Sequence, residues 1–248
     1  MADAAAHAES FAAVPSNLPK DEAVAGAAEA VAHWRALGDA APRPAAAAEV
    51  DAILASLVSL SPRISQVYLY DDAGCSLYEW ITQLSHEYYL TEKETQLIAE
   101  HAADLAHDGA EPAERQVVVE LGAGTGRKTQ LLLEALVPRA RATVYAPIDV
   151  SAASLEANLA ACNAPEYAGR LSVSPLIGDF RTRLPDAKAM AGRHVYLYLG
   201  SSLGNFSDEE SVALFTDVRA SMGRGDRFLV GVDTPHGPGK PAAAIELA

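Results

Sequence analysis

Val117-Val118-Val119-Glu120-Leu121-Gly122-Ala123-Gly124-Thr125-Gly126 decides the fold. An apolar, β-branched run that gives way to alternating glycines reads as a buried strand turning sharply into a helix. Glycine has no Cβ, so the backbone can take positive φ and a ligand can lie against main-chain N–H groups at the start of the following helix. The glycines fall at G-x-G-x-G, Arg127 stands where a dinucleotide fingerprint would put its last glycine, and an acid, Glu120, precedes the turn. That spacing lies nearer to S-adenosylmethionine sites than to NAD sites.

Downstream of the turn, strands and helices alternate. Leu131-Leu132-Leu133 with Ala135-Leu136 reads as a helix ending before Pro138, and Ala142 to Ile148 as the next strand. Asp149 ends that strand, and Ser151 caps a helix running to about Ala161. Leu171 to Ile177 reads as a third strand ending in Gly178-Asp179-Phe180, and Val195 to Leu199 as a fourth ending in Gly200-Ser201-Ser202. Ser207 and Glu210 form a capping box for a helix to about Met222, and Phe228 to Val232 makes a fifth strand. The expectation is an α/β fold with a doubly wound parallel sheet, whose ligands bind beyond the carboxyl ends of the strands.

Upstream, the pattern is helical. Val50, Ile53, Leu54, Leu57 and Val58 recur at helical spacing over 47–58, and Cys75 to Leu84 and Thr91 to Ala106 carry the same period. Thr91 and Glu94 have the spacing of a capping box. Residues 1–46 are rich in Ala and Pro with few large apolar side chains, which predicts a mobile leader with a helix near Asp21 to Leu37. The expected division is therefore a leader over 1–46, a helical region over 47–110 and a sheet domain over 111–235.

Composition narrows the partners. With 19 Lys and Arg against 33 Asp and Glu, the net charge of −14 disfavours nucleic acid and anionic membrane surfaces. Cys75 and Cys162 lie far apart in sequence, so neither a disulfide framework nor a zinc or other metal site is suggested. Acids at Asp3 and Glu9 stand where an export signal would be basic, and no apolar run is long enough to span a bilayer. A soluble, cytoplasmic protein is expected, of unspecified oligomeric state.

The candidate site residues trace a nucleoside. Asp149, at the end of the second strand, can accept both ribose hydroxyls; Asp179 can accept from an adenine amino group, and Phe180 can offer an apolar face to the ring. Gly122 completes this outline at the first strand. Lys128, in the first turn of the helix after the glycines, can reach a ligand carboxylate, such as the one on a methionine-type tail. Asn205 follows the fourth strand, where an amide can bind a carboxylate or an amine.

Several elements together resemble the histidine-specific methyltransferase family. They are Tyr70-Asp71-Asp72-Ala73-Gly74-Cys75-Ser76-Leu77-Tyr78, Ile81-Thr82-Gln83-Leu84, Glu87-Tyr88-Tyr89-Leu90-Thr91, the glycine turn with Lys128-Thr129, Asp149-Val150-Ser151, Gly178-Asp179-Phe180 and Leu199-Gly200-Ser201-Ser202-Leu203-Gly204-Asn205-Phe206. The resemblance spans about residues 61–235. It implies a Rossmann-like class I methyltransferase fold with an N-terminal helical region, and S-adenosyl-L-methionine held by Gly122, Lys128, Asp149, Asp179 and Phe180. It further implies a small amino-acid substrate contacted by Tyr88 and Asn205, with Tyr70 near an imidazole. Members of that family include the enzyme that trimethylates the α-amine of L-histidine to hercynine in ergothioneine biosynthesis; related enzymes methylate other amines, including a prenylated tryptophan.

Two departures accompany the resemblance. Ser85-His86 stands where the family has a single Pro before Glu-Tyr-Tyr. Family members also continue past the fifth strand, so residues 236–248 are expected to begin a C-terminal region that supplies further substrate contacts. No catalytic residue or general base is assigned. Besides histidine methylation, two readings stay open: another amine substrate, and a domain that binds the cofactor without catalysis.

Overall fold

The structure, a computed structural model, describes residues 47–58, 62, 64, 66–70, 72–84, 88–107, 112–162, 167, 169–233 and 243–247. The expected leader over 1–46, the Ser85-His86 insertion and the Pro235–Gly239 segment lie outside the described residues. The chain divides into two compact units, 1–88 and 89–248.

In the first unit, α1 spans Ala47–Leu57 and α2 spans Asp72–Leu84, with a short 3-10 turn at Gln66–Leu69 between them. Helix α2 starts three residues before the expected Cys75, and Cys75 Sγ donates to the Tyr70 carbonyl at 3.5 Å.

The second unit holds α3 (Leu90–Ala106), β1 (Ala113–Leu121), α4 (Arg127–Leu136), β2 (Ala140–Asp149), α5 (Ala152–Cys162), β3 (Leu171–Val173), β4 (Leu176–Ile177), α6 (Phe180–Lys188), β5 (Arg193–Tyr198), α7 (Asp208–Ser221), β6 (Arg227–Asp233) and β7 (Ala243–Leu247). The sheet runs in the order β3-β2-β1-β5-β6-β7, with β4 paired to β2 beyond β3. Strands β1 to β6 are parallel, and β7 is antiparallel to β6. The chain moves outward from β1 through β2 to β3 and β4, then returns to β1's other side at β5. The crevice between the carboxyl ends of β1 and β5 is thus the topological switch point, where open α/β sheets bind ligands.

β1 is buried on both faces, which explains its unbroken Val-Val-Val run. Val118 packs with Ile98 of α3 and Leu132, Leu133 and Leu136 of α4. Val117, Val119 and Leu121 pack with Leu184 of α6 and with Leu214 and Val218 of α7. Helices therefore cover both faces, as the doubly wound expectation requires. Helix α4 stops at Leu136 because Pro138 follows, and the chain tightens there into a 3-10 turn.

The compact unit that holds the sheet begins at Tyr89 and takes in α3, whose Ile98, Leu105 and Ala106 belong to the sheet's core. Three expectations change. Leu171–Ile177 is two short strands, since Pro175 has no N–H to continue the ladder. A helix at Phe180–Lys188 was not expected, and it forms around an internal Pro185. The Thr91–Glu94 capping box is absent: α3 begins at Leu90 with no side-chain cap, and Glu94 turns into the interior. By contrast, the Ser207–Glu210 capping box is present with both bonds, 2.8 and 3.2 Å. Among the described residues, no helix is long and apolar enough to cross a membrane.

Candidate cofactor site at the sheet's carboxyl edge

The turn after β1 is built from three left-handed glycines, Gly122 (φ 70°), Gly124 (φ 51°) and Gly126 (φ 72°). They do different work. A Cβ on Gly122 or Gly124 would meet nothing within 4 Å, so both face open space beside the strand ends. A Cβ on Gly126 would lie 2.5 to 2.7 Å from the side chain of Asn158, so this glycine serves packing. Main-chain bonds from Gly122 and Ala123 to the Ile148 carbonyl, 2.9 and 3.0 Å, lash the turn to β2.

Asp149 sits at the end of β2 as expected. Its Oδ2 accepts from Gly124 N at 2.8 Å and its Oδ1 from Ser151 N at 2.9 Å. A carboxylate has about four acceptor sites, so these two bonds orient the group and leave capacity for a diol. Ser151 rather than Asp149 caps α5, accepting from Ser154 N at 3.2 Å. The Asp149 carbonyl accepts from Gly178 N at 2.8 Å, which brings the ends of β2 and β4 together.

Asp179 caps α6, accepting from Arg181 N at 2.9 Å. Arg181 also clamps it with Nη2 at 2.6 Å and Nε at 3.1 Å. Burial pushes the Asp179 carboxyl up, but the Arg181 hydrogen bonds and charge outweigh it and hold the group below the usual carboxylate range. It is thus ionised and also serves as a helix cap. Phe180 opens α6, its ring 5.7 Å from Tyr198 and packed against the core cluster on that face.

Lys128 lies in the first turn of α4, where its ammonium donates to Glu94 Oε2 of α3. Glu94 is an acid that sequence reasoning misassigned. The signal was present: Glu94 shares a helix face with Ile98 and Leu105, and all three are buried. Asn205 ends the Ser202–Asn205 turn after β5 and is exposed. The residue that opens this loop, Ser201, has φ 53°, the single positive value outside glycine among the described residues.

A second buried network lies under the glycine turn. Glu120 accepts from Thr129 Oγ1 at 2.5 Å and from the Tyr145 hydroxyl. Asn158, fully buried, donates to the Gly124 carbonyl at 3.3 Å and to Tyr145 Oη at 3.1 Å. Sequence reasoning picked out Glu120 and not this network, in which Tyr145 of β2 and Thr129 of α4 bond Glu120 and Asn158 of α5 bonds Tyr145. Burial raises the Glu120 carboxyl to about 7, against the pull of the Thr129 and Tyr145 hydrogen bonds and the Lys128 charge; the Asp149 charge adds to the rise. The folded carboxyl therefore holds its proton more tightly than an unfolded one near 4.5. Its contribution to stability is fully present below that lower value and is lost as pH rises through the folded one, by roughly 3 kcal/mol. Glu120→Gln should thus become more stable relative to wild type as pH is raised from about 5 to about 8. Thermal melts of both proteins across that range check this; a constant difference in Tm would contradict it.

In the N-terminal unit, Tyr70 and Tyr88 both meet Tyr78. The Tyr70 and Tyr78 rings are 6.2 Å apart, edge to face, and the Tyr78 and Tyr88 rings 5.9 Å apart. The hydroxyls of Tyr78 and Tyr88 share a hydrogen bond at 3.1 Å. Tyr78 thus joins two expected substrate residues and was itself assigned no role.

The model of the family described as "Histidine-specific methyltransferase, SAM-dependent" matches residues 49–246. The chain is 33% identical over 175 residues to a histidine N-alpha-methyltransferase of Mycobacterium tuberculosis, covering 71% of this chain and 51% of that protein. It is 35% identical over 184 residues to ergothioneine biosynthesis protein 1 of Neurospora crassa, covering 72% of this chain and 20% of that one. Among solved structures, the mitomycin 7-O-methyltransferase MmcR aligns with a TM-score of 0.48 at 18% identity, over 92% of this chain and 58% of that one. The chain spans about half the length of the Mycobacterium relative.

Proposed function

Because the chain belongs to the histidine-specific, S-adenosylmethionine-dependent methyltransferase family, we propose that it methylates the α-amino group of L-histidine, in successive transfers to trimethylhistidine, hercynine. The observation that carries this reading is the family match, which spans both the helical region and the sheet. The chemistry of the site agrees with the cofactor: two glycines facing open space, a carboxylate oriented by main-chain N–H groups, and a cation at a helix start.

S-adenosylmethionine, when bound, supplies a methyl group already activated by its sulfonium. The protein's work is then placement. Asp149 accepts the ribose hydroxyls while Gly124 N and Ser151 N hold its orientation. Gly122 lets the main chain approach the ligand without a side chain intervening. Lys128 offers donors to the cofactor carboxylate beyond the one given to Glu94. Asp179 accepts from the adenine amino group and Phe180 covers the ring. The family resemblance assigns Asn205 and Tyr88 to the substrate amino acid and Tyr70 to its imidazole. A peptide α-amine loses its proton near pH 8, and the α-amine of a free amino acid, with a carboxylate beside it, does so at higher pH, so the reactive neutral form is a minority at neutral pH and grows as pH rises. Holding its lone pair close to the methyl group converts an encounter into a unimolecular step.

The test is a calorimetric titration of L-histidine into the chain saturated with S-adenosylhomocysteine, the demethylated product. Saturable heat with histidine and none with histidine methyl ester would support an amino-acid site. Cofactor-product binding with no histidine signal, and with signal from an indole amine instead, would transfer the reading to the other substrate; 4-dimethylallyltryptophan N-methyltransferase of Epichloe festucae, 30% identical over 138 residues, is the relative that prompts that control.

A further inference from the structure

Helix α3 carries one acid on its buried face. Glu94 is 2% exposed, and three elements of the sheet unit converge on its carboxylate. Gly200 N, at the carboxyl end of β5, donates to both oxygens at 2.8 and 3.0 Å. The Lys128 ammonium of α4 donates to Oε2. On β6, a Cβ at Gly231 would collide with Oε1, so the absence of a side chain there makes the seat for the carboxylate. Gly200 is itself left-handed at φ 86°, and a Cβ on it would lie 3.4 Å from Lys128 Nζ. Two glycines and one buried acid thus bring the cofactor-side lysine and the start of the Gly200–Asn205 loop against a single carboxylate.

We infer that Glu94 is a positioning residue that ties the Lys128 side of the cofactor site to the loop carrying Asn205, so that it sets substrate affinity more than cofactor affinity. Removing a buried charge's partner is costly, so Gly200 N and Lys128 stay fixed only while the carboxylate is seated. Within the loop, Gly204 N donates to the Ser201 carbonyl at 3.1 Å, so Asn205 is linked to the loop's root, where Ser201 is held in a left-handed conformation that serine disfavours. Loss of the Gly200 bond therefore frees the loop to relax, and Asn205 moves with it. The lysine responds in the opposite sense. Without a carboxylate beside it, its ammonium faces an incoming ligand carboxylate uncompensated, so cofactor affinity holds or rises. This inference rests on the methyltransferase reading for the identity of the two ligands.

Two variants separate positioning from plain structural support. Glu94→Gln keeps the length and one acceptor for Gly200 N while removing the charge beside Lys128. Gly231→Ala leaves Glu94 chemically intact and displaces its carboxylate, since the added methyl would also stand 3.2 Å from Glu94 Cδ; its nearest neighbour outside Glu94, Leu199 Cα at 3.5 Å, is ordinary. Both are made in the full chain and read by affinity for S-adenosylhomocysteine, by KM and kcat for histidine, and by hydrogen exchange of the segment 199–206. The expected result is about a tenfold faster exchange at Gly200 and about a tenfold higher histidine KM, with affinity for S-adenosylhomocysteine equal or higher in Glu94→Gln. Unchanged exchange and KM in both variants would overturn the inference, as would a parallel loss of cofactor affinity, substrate affinity and Tm. If wild type itself fails to bind S-adenosylhomocysteine, the cofactor reading falls, and unchanged exchange at Gly200 in the two variants would still overturn the tether.

Discussion

Asp149→Ala is expected to weaken S-adenosylhomocysteine binding about a hundredfold, the largest loss of affinity from any single change at the cofactor site. Each hydrogen bond from a neutral hydroxyl to a carboxylate contributes about 1.5 to 3 kcal/mol, and a ribose offers two such donors to one group. The change also frees Gly124 N and Ser151 N, which Asp149 holds at 2.8 and 2.9 Å. The glycine turn then loses one of its contacts with β2 and keeps the main-chain bonds to the Ile148 carbonyl. Asp149→Asn keeps an acceptor of the same shape and should lose only about tenfold. Calorimetry with the three proteins checks the order; a loss below about threefold in Asp149→Ala would remove the nucleoside role from this residue.

Gly126→Ala is expected to be the most damaging change to stability, at about 3 kcal/mol, because two penalties act together. The residue sits at φ 72°, and its Cβ would stand 2.5 Å from Asn158 Nδ2. Asn158 is fully buried and spends that amide on the Gly124 carbonyl and Tyr145 Oη, so moving it breaks the network that reaches Glu120. A loss of that size lowers Tm by roughly 6 to 12 °C in a unit of this size. Gly122→Ala provides the contrast. Its φ of 70° is equally left-handed, but nothing lies within 4 Å of the added carbon. It should cost only about 1 kcal/mol in stability and instead reduce affinity for S-adenosylhomocysteine. Similar Tm losses in the two variants would contradict this division of labour between the glycines.

Most of what was legible in the sequence was local. The Val-Val-Val run, the glycine spacing and Pro138 each act within a few residues, and they led to β1, the turn and the end of α4 without any knowledge of partners. The place of Asp149 at the end of β2 was legible too, since the apolar strand breaks there into an acid and a helix-capping Ser151. What escaped depends on contacts far along the chain. Glu94 reads locally as part of an N-cap, yet its carboxylate is taken up by Gly200, 106 residues away, and by Lys128, 34 residues away. Tyr145, Thr129 and Asn158 look like routine residues of a strand and two helices until the sheet brings them to Glu120. Strand β7 is an Ala-rich segment whose pairing with β6, Gly231 opposite Ile245, decides its conformation. Helix α6 was hidden by Pro185, a residue that argues against a helix interior.

The same contrast organises the site. The groups expected to touch the cofactor lie on or beside turns that glycine and aspartate shape locally, at the ends of β1 and β2 and the starts of α4 and α6. The groups that hold those turns in place are buried, come from other elements and carry the long-range information. Substitutions in the first set should change affinity at nearly constant stability, and those in the second should change stability or the coupling between ligands.

The most direct test of the account is to incubate the chain with S-adenosylmethionine and L-histidine and follow histidine by mass. Expected are histidine species heavier by one, two and three methyl groups, no product from histidine whose α-amine is blocked, and a sharp fall in all three in Asp149→Ala when the cofactor is kept near its wild-type dissociation constant. Histidine left unmodified by a chain that binds S-adenosylhomocysteine, or methyl transfer to the blocked compound, would contradict it.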